Sequence, residues 1–132
     1  EIGVCFLFAP KFHSLSPTLA KVRREIGVPT IFNVLGPICN PANAPHQVIG
    51  VWRRDLIEKT AEVLARFGTK KTWIVHGSDG LDEITLNGKT FAAEISGSNI
   101  KKFEISPADF GLKNAGLDNL QKFSPAGSAK LI

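Results

Sequence analysis

A chain of 132 residues with 43% hydrophobic and 21% charged residues carries enough apolar side chains for one folded domain and is too apolar to be a disordered segment. Its formal charge of +4 comes from 16 Lys and Arg against 12 Asp and Glu scattered along the chain, with no stripe that interleaves basic and aromatic residues, so nucleic acid is a poor partner and small anions are a better one. The first apolar run, residues 2–9, has no basic segment before it, falls well short of the roughly 20 residues of a membrane span and stops at Pro10 and Lys11, which argues against secretion and membrane insertion.

In chain order, residues 4–9 read as an apolar, aromatic-rich strand broken by "PKFHS". This strand begins almost at Glu1, would need partners on both sides to be buried, and stands in a chain without Met, which together predict a piece of a longer protein. Cys5 within it and the later Cys39 sit in apolar settings, which predicts two reduced, buried thiols and a cytoplasmic or organelle-interior (for example plastid) enzyme. A helix follows, with Ser16 as cap, Pro17 at the first helical position, Gly27 as terminator, and Leu15, Leu19, Val22 and Ile26 as its apolar edge. "PTIFN" reads as a short strand, and "NVLGPICNPANAPH" as a loop too rich in Pro, Gly and Asn for a regular element. Residues 47–52 form the next strand. Asp55 and Glu58 have capping-box spacing ahead of a helix whose Ile57, Ala61, Leu64 and Phe67 recur on one face until Gly68, and residues 71–76 return as a strand. Two strands joined by a single helix of this length require a right-handed parallel crossover, so the predicted class is α/β. Residues 89–95 and 100–105 alternate like strands before the chain loosens through "SPADFGLKNAGLDNL".

Open α/β sheets bind ligands beyond the carboxyl ends of their strands, and "VHGSDGLDEIT" lies at such an end. It places three carboxylates, Asp79, Asp82 and Glu83, within five residues, where they repel one another unless a cation lies between them. Hard oxygen donors without His or Cys at metal-ligand spacing favour Mg²⁺ shared with a phosphate ligand; turn-forming Asp and a solvated Glu account for the same spacing, so the acids alone leave both readings open. In "KVRREIG", about 100° per residue sets Arg23 beside the Leu19 and Ile26 edge and Arg24 nearly opposite. Arg24 should face water. Arg23 could offer its planar fork to a carboxylate or phosphate, or close a local ion pair. His13 follows the first strand and could face the same crevice or be a structural loop residue. No nucleophile with an adjacent base occurs, and neither GxGxxG nor GxxxxGK[ST] is present.

Together, "FLFAPKFH", "VRREIGVPTIFNVLGPICNPA", "VIGV" and "VHGSDGLDEIT", in this order and spacing over residues 1–111, closely resemble the anthranilate phosphoribosyltransferase family of tryptophan biosynthesis. The resemblance implies an incomplete portion of a larger α/β domain with a largely parallel sheet flanked by helices, of the nucleoside phosphorylase/phosphoribosyltransferase type. It implies that residues 1–132 form one segment of a longer enzyme that transfers phosphoribosyl from phosphoribosyl pyrophosphate to anthranilate. In residue terms it implies Arg23 as the anthranilate-binding arginine, His13 along the anthranilate path, and Asp82 and Glu83 as ligands of Mg²⁺; it assigns no catalytic residue and gives Asp79 no ligand role. The family's amino-terminal helical domain, its GTGGD pyrophosphate loop and its Lys-His-Gly-Asn segment have no counterpart in these 132 residues, so the isolated segment is expected to be inactive, and a family-like homodimer requires the helical domain. Two other readings stay open on the sequence alone: a non-catalytic anion-binding module, and a nucleoside-phosphorylase-type enzyme of the same broad fold.

Overall fold

A computed structural model describes residues 3, 5–8, 17–28, 30–40, 42–116 and 124–129; of residues 17–20, 23, 37, 128 and 129 it describes the backbone alone. Helix α1 (Pro17–Ile26) and helix α2 (Ile31–Ile38) precede strand β1 (His46–Gly50), helix α3 (Leu56–Arg66) and strand β2 (Lys71–Gly77). Strands β3 (Thr90–Ser96) and β4 (Asn99–Ile105), a 3₁₀ turn (Pro107–Phe110) and a short helix α4 (Pro125–Ala129) complete the order.

The strands lie side by side as β1-β2-β3-β4. The predicted parallel pair is β1 with β2, in the register Ile49 opposite Ile74, and α3 crosses between them. The β2–β3 and β3–β4 pairings are antiparallel, with Ala93 opposite Ile74 and Lys102 opposite Ala93. The described sheet is therefore mixed within an α/β fold. Crossing the sheet on one face, α3 buries Ile57, Thr60, Ala61 and Leu64, and the core gathers Ile57, Ala61 and Leu64 with Ile49, Val51, Ile74, Ala93 and Ile95. Each of the larger aliphatic residues contributes about 1.5–3 kcal/mol of burial.

Several local expectations are corrected. The run "TIFN" is helical: Thr30 is an extended N-cap (φ −127°, ψ 178°), Asn33 N–H donates to the Thr30 carbonyl at 2.9 Å, and Asn33 Oδ1 accepts the Thr30 N–H at 3.0 Å. A short apolar run does not distinguish strand from helix, and here the local Thr30–Asn33 bonds favour the helix. The predicted loop after it is thus helical to Ile38. Residues 5–8 form no strand, with Phe6 86% exposed, because no described strand pairs with them. Both cysteines are free, as expected, but exposed rather than buried. The Asp55–Glu58 box does not form: both Asp55 carboxylate oxygens accept from Arg53 (Nε–Oδ1 2.9 Å, Nη2–Oδ2 2.7 Å), and Glu58 pairs with Lys102 at 2.8 Å. Charge-assisted, two-point bonds outcompete a single neutral N–H donor. Phe67 follows the last turn of α3 and is 71% exposed, off the apolar face. The terminating glycines hold, Gly27 at φ +66° and Gly68 at φ +72°.

On the sheet face opposite α3, Trp73 Nε1–H donates to Glu94 at 2.6 Å, Lys71 lies 3.1 Å from the same oxygen, and the Trp73 ring meets Phe103 edge-on at 5.0 Å. The Trp73 hydrogen bond, followed by Lys71, holds the Glu94 carboxyl below its ordinary range. A depressed folded value means that the unfolded chain takes up the proton first as pH falls. The stabilisation is therefore complete above the ordinary glutamate range and is lost as pH drops through the folded value. Glu94→Gln should flatten the acid side of the stability profile and leave its slope near neutrality unchanged, which urea midpoints of parent and variant across that range will measure.

Candidate active-site loop at the carboxyl ends of β1 and β2

The parallel pair points its carboxyl ends the same way, and the chain after each strand builds one side of an open groove lined in part by Trp52, Arg54, His76, Gly80 and Phe91. Beyond β1, Val51 N–H donates to the Val75 carbonyl at 3.0 Å, and the Val51 carbonyl accepts from His76 Nδ1 at 2.8 Å. A carbonyl only accepts, so Nδ1 carries the proton in this pair. The Arg54 guanidinium lies 3.6 Å over the Phe91 ring, a cation–π contact that props the chain just ahead of α3 against β3.

Beyond β2, residues 78–89 form the acid-bearing loop. Its neck is closed by the Gly77–Thr90 strand pair and by Ser78 N–H donating to the Lys89 carbonyl at 2.8 Å. Inside it, Gly77 N–H donates to the Leu81 carbonyl at 2.8 Å and Gly80 N–H to the Gly77 carbonyl at 3.0 Å, with Gly80 at φ +90°, a conformation that suits glycine. The loop then lies directly on β1: a Cβ placed on Gly50 would sit 1.6 Å from the Asp82 carbonyl oxygen.

The three acids separate into two kinds. Asp79 turns inward, Oδ1 accepting the Leu81 N–H at 3.2 Å and Oδ2 accepting the Thr85 hydroxyl. Asp82 and Glu83 are exposed, and among the described residues neither carboxylate is taken up by a hydrogen bond or an ion pair. By contrast Asp55, Glu58, Glu94 and Glu104 each pair with a lysine or arginine. Also among the described residues, no group of three or more His, Cys, Asp and Glu gathers to hold a metal. Two adjacent free carboxylates fit a hard, water-rich cation such as Mg²⁺, which takes few protein ligands and completes its shell with waters and phosphate oxygens.

Arg23 stands in α1, with a side chain outside the described atoms, and His13 lies outside the described residues altogether. Arg24 is exposed as expected. Of the edge expected to face the interior, Val22 (42%) and Ile26 (50%) are exposed as well, because no described residue covers them, while Leu15 and the Leu19 side chain lie outside the described atoms. The described residues therefore do not bear out an inward face of α1 beside Arg23. The structure brings Asp82 and Glu83 together on one loop, and the placement of the Arg23 side chain and of His13 relative to them lies outside the described atoms. Sequence reasoning missed Gly50, Thr85 and Thr90. Asp79 had a local signal, the Asx-turn pattern of an Asp two residues before the N–H it accepts.

A parallel βαβ crossover, an antiparallel hairpin and a free acidic pair at the carboxyl edge define an α/β domain with a candidate cation site. The chain belongs to the glycosyl transferase family, whose a/b domain matches residues 1–132. Within it the chain is similar to anthranilate phosphoribosyltransferases, as its motifs implied: that of Nitrosomonas europaea is 50% identical over 121 residues, 92% of this chain and 36% of the relative. That of Geobacter sp. is 47% identical over 132 residues, 100% of this chain and 38% of the relative. Among solved structures, the Saccharomyces cerevisiae enzyme in complex with 4-fluoroanthranilate superposes with a TM-score of 0.85 at 34% identity, covering 96% of this chain and 36% of that one. The same enzyme in complex with PRPP and Mg gives 0.78 at 33% identity, covering 86% and 32%. The chain spans little more than a third of the length of the relatives it matches. Among the described residues, no helix is long and apolar enough to cross a membrane.

Proposed function

We propose that this segment forms part of an anthranilate phosphoribosyltransferase, which transfers the phosphoribosyl group of phosphoribosyl pyrophosphate to the amine of anthranilate with loss of pyrophosphate. The observation that carries the reading is the pair of free carboxylates, Asp82 and Glu83, held on an anchored loop at the carboxyl end of β2, in a chain whose relatives carry that enzyme's name. In the reaction the bond from the ribosyl carbon to pyrophosphate breaks, the amine nitrogen bonds to that carbon, and the amine gives up a proton. Anthranilate's amine is uncharged near neutral pH, so placement matters more than a strong base, which fits the lack of an assigned catalytic residue. Asp82 and Glu83 would hold Mg²⁺, which offsets the charge growing on pyrophosphate when bound. Arg23 would take the anthranilate carboxylate in two parallel hydrogen bonds and His13 would lie along its path.

In this reading residues 1–132 are one α/β segment; the amino-terminal helical domain and GTGGD loop of the family complete the donor site and permit a homodimer, in the cytoplasm or an organelle interior. The relative's complex with a fluoroanthranilate and its complex with PRPP and Mg support the same substrates and cation here.

Steady-state kinetics of the segment in full-length context, as in its relatives, tests the acceptor assignment. Arg23→Lys keeps the charge and removes the planar fork, and should raise the anthranilate KM about tenfold while leaving the donor KM in place. Arg24→Lys, on an exposed face, should change neither constant. A damaging Arg24→Lys beside a silent Arg23→Lys contradicts the assignment.

A further inference from the structure

The third acid of the loop points to a role that the other two do not share. Asp79 reaches no groove-facing position; both its oxygens are spent inside the loop, on the Leu81 N–H and the Thr85 hydroxyl. Thr85, 4% exposed, is the hub of a hydrogen-bonded chain that runs through the loop. Its Oγ1 donates to Asp79 and accepts the Asn87 N–H at 2.8 Å, while its own N–H donates to Thr90 Oγ1 at 3.0 Å. Thr90, 1% exposed, is the first residue of β3 and stands opposite Gly77, the last of β2. The chain from Asp79 through Thr85 to Thr90 therefore ties the outgoing and returning arms of the loop to the rigid strand ends. Asp82 and Glu83 lie on the bridge between Asp79 and Thr85.

We propose that Asp79 is a positioning residue, which through Thr85 and Thr90 sets the backbone from which Asp82 and Glu83 present their carboxylates to a divalent cation carried by pyrophosphate; the proposal rests on the reading of Asp82 and Glu83 given above. Entropy favours such a latch. Two exposed side chains on a free loop must order the loop each time they bind, whereas a loop already ordered by buried hydrogen bonds loses only side-chain freedom. A carboxylate suits the latch because it only accepts, and both donors that meet it are fixed, one a backbone N–H and the other a nearly buried hydroxyl. An amide at position 79 would turn an NH₂ toward Thr85 Oγ1, which already accepts from Asn87, and would leave the hydroxyl proton without its acceptor. Gly77 fits the same design, because a Cβ there would meet Asp79 Oδ1 at 2.4 Å.

The test is Mn²⁺ binding followed by electron paramagnetic resonance in the presence of pyrophosphate, on the segment in full-length context, with the anthranilate KM and amide exchange of the loop measured alongside. Asp79→Asn and Thr85→Val should each raise the apparent Mn²⁺ dissociation constant about tenfold, the usual effect of losing a partner that orients a metal ligand, and should speed exchange at Leu81 and Asn87. Thr85→Ser keeps the hydroxyl and should stay within about twofold of the parent, and the anthranilate KM should hold in all three. A parental signal that persists unchanged in Asp79→Asn and Thr85→Val overturns the proposal alone. An equal rise of the anthranilate KM and of the Mn²⁺ constant overturns it in favour of a merely structural role. A parent with no pyrophosphate-dependent signal overturns the reading of Asp82 and Glu83, and the proposal with it.

Discussion

Gly50→Ala should shift the acid loop off the sheet, cost about 1–3 kcal/mol of stability and weaken pyrophosphate-dependent cation binding by about tenfold. The new methyl carbon would stand 1.6 Å from the Asp82 carbonyl oxygen, 2.6 Å from its carbonyl carbon and 3.2 Å from its Cβ. The first two are backbone atoms and cannot swing aside as the end of a side chain would. Either the end of β1 or the loop must move, and β1 is the more constrained, because Ile49 belongs to the core and the strand is paired along its length with β2. The displacement falls on Asp82 and on its neighbour Glu83, so the stability loss and the loss of cation affinity should appear together. Gly36→Ala is the control: among the described residues a Cβ there meets nothing within 4 Å, and within helix α2 the alanine should be neutral or gain about 0.5–1 kcal/mol. Chemical denaturation of the two variants, with Mn²⁺ titrations at low denaturant, separates these outcomes.

Removing both free carboxylates should do the reverse, leaving the fold intact and abolishing most of the turnover. Asp82 and Glu83 are exposed and, among the described residues, their side chains take no part in the hydrogen bonds that build the loop, so Asp82→Asn with Glu83→Gln should stay within about 0.5 kcal/mol of the parent. A highly charged leaving group departs slowly unless its growing charge is met by a preorganised counter-charge, and catalysis leans heavily on that electrostatic match. In full-length context the double variant should therefore lose about 10²–10³ in kcat at saturating anthranilate. Asp79→Asn should show a different pattern, a higher requirement for metal with kcat recovered at high metal concentration, since it changes the placement of the ligands and not their charge.

What could be read from the residues was whatever had a local periodicity or a local stop. The crossover from β1 through α3 to β2 was legible because Ile57, Ala61 and Leu64 repeat at helical spacing between two short β-branched runs, and Gly68 ends the helix where a positive φ is needed. Strands β3 and β4 were legible from alternation, though not their antiparallel pairing. Composition drew notice to the three acids but left turn and cation readings open, and only the family resemblance singled out Asp82 and Glu83 from Asp79.

The rest depended on which of several competing partners each group takes, near in the chain or far. Whether Asp55 caps α3 turned on Arg53 competing for both of its oxygens. Whether "TIFN" became a strand turned on Asn33 folding back on Thr30. The inward face of α1 was assigned on the premise that its apolar edge meets a neighbour, which no described residue provides. The latch of Asp79, Thr85 and Thr90 and the close approach at Gly50 arise only once β1, β2 and β3 are paired, since Gly50 and Asp82 meet only through the folded sheet.

The central claim is that Asp82 and Glu83 hold a divalent cation together with a polyphosphate ligand, and isothermal calorimetry tests it most directly. Mg²⁺ is titrated into the parent and into the Asp82→Asn, Glu83→Gln double variant, each with and without pyrophosphate, in full-length context. The parent should bind Mg²⁺ only when pyrophosphate is present, because two carboxylates alone make a weak, water-rich site, and the double variant should show no such binding. Pyrophosphate-dependent Mg²⁺ binding that survives unchanged in the double variant would place the cation elsewhere and contradict the account.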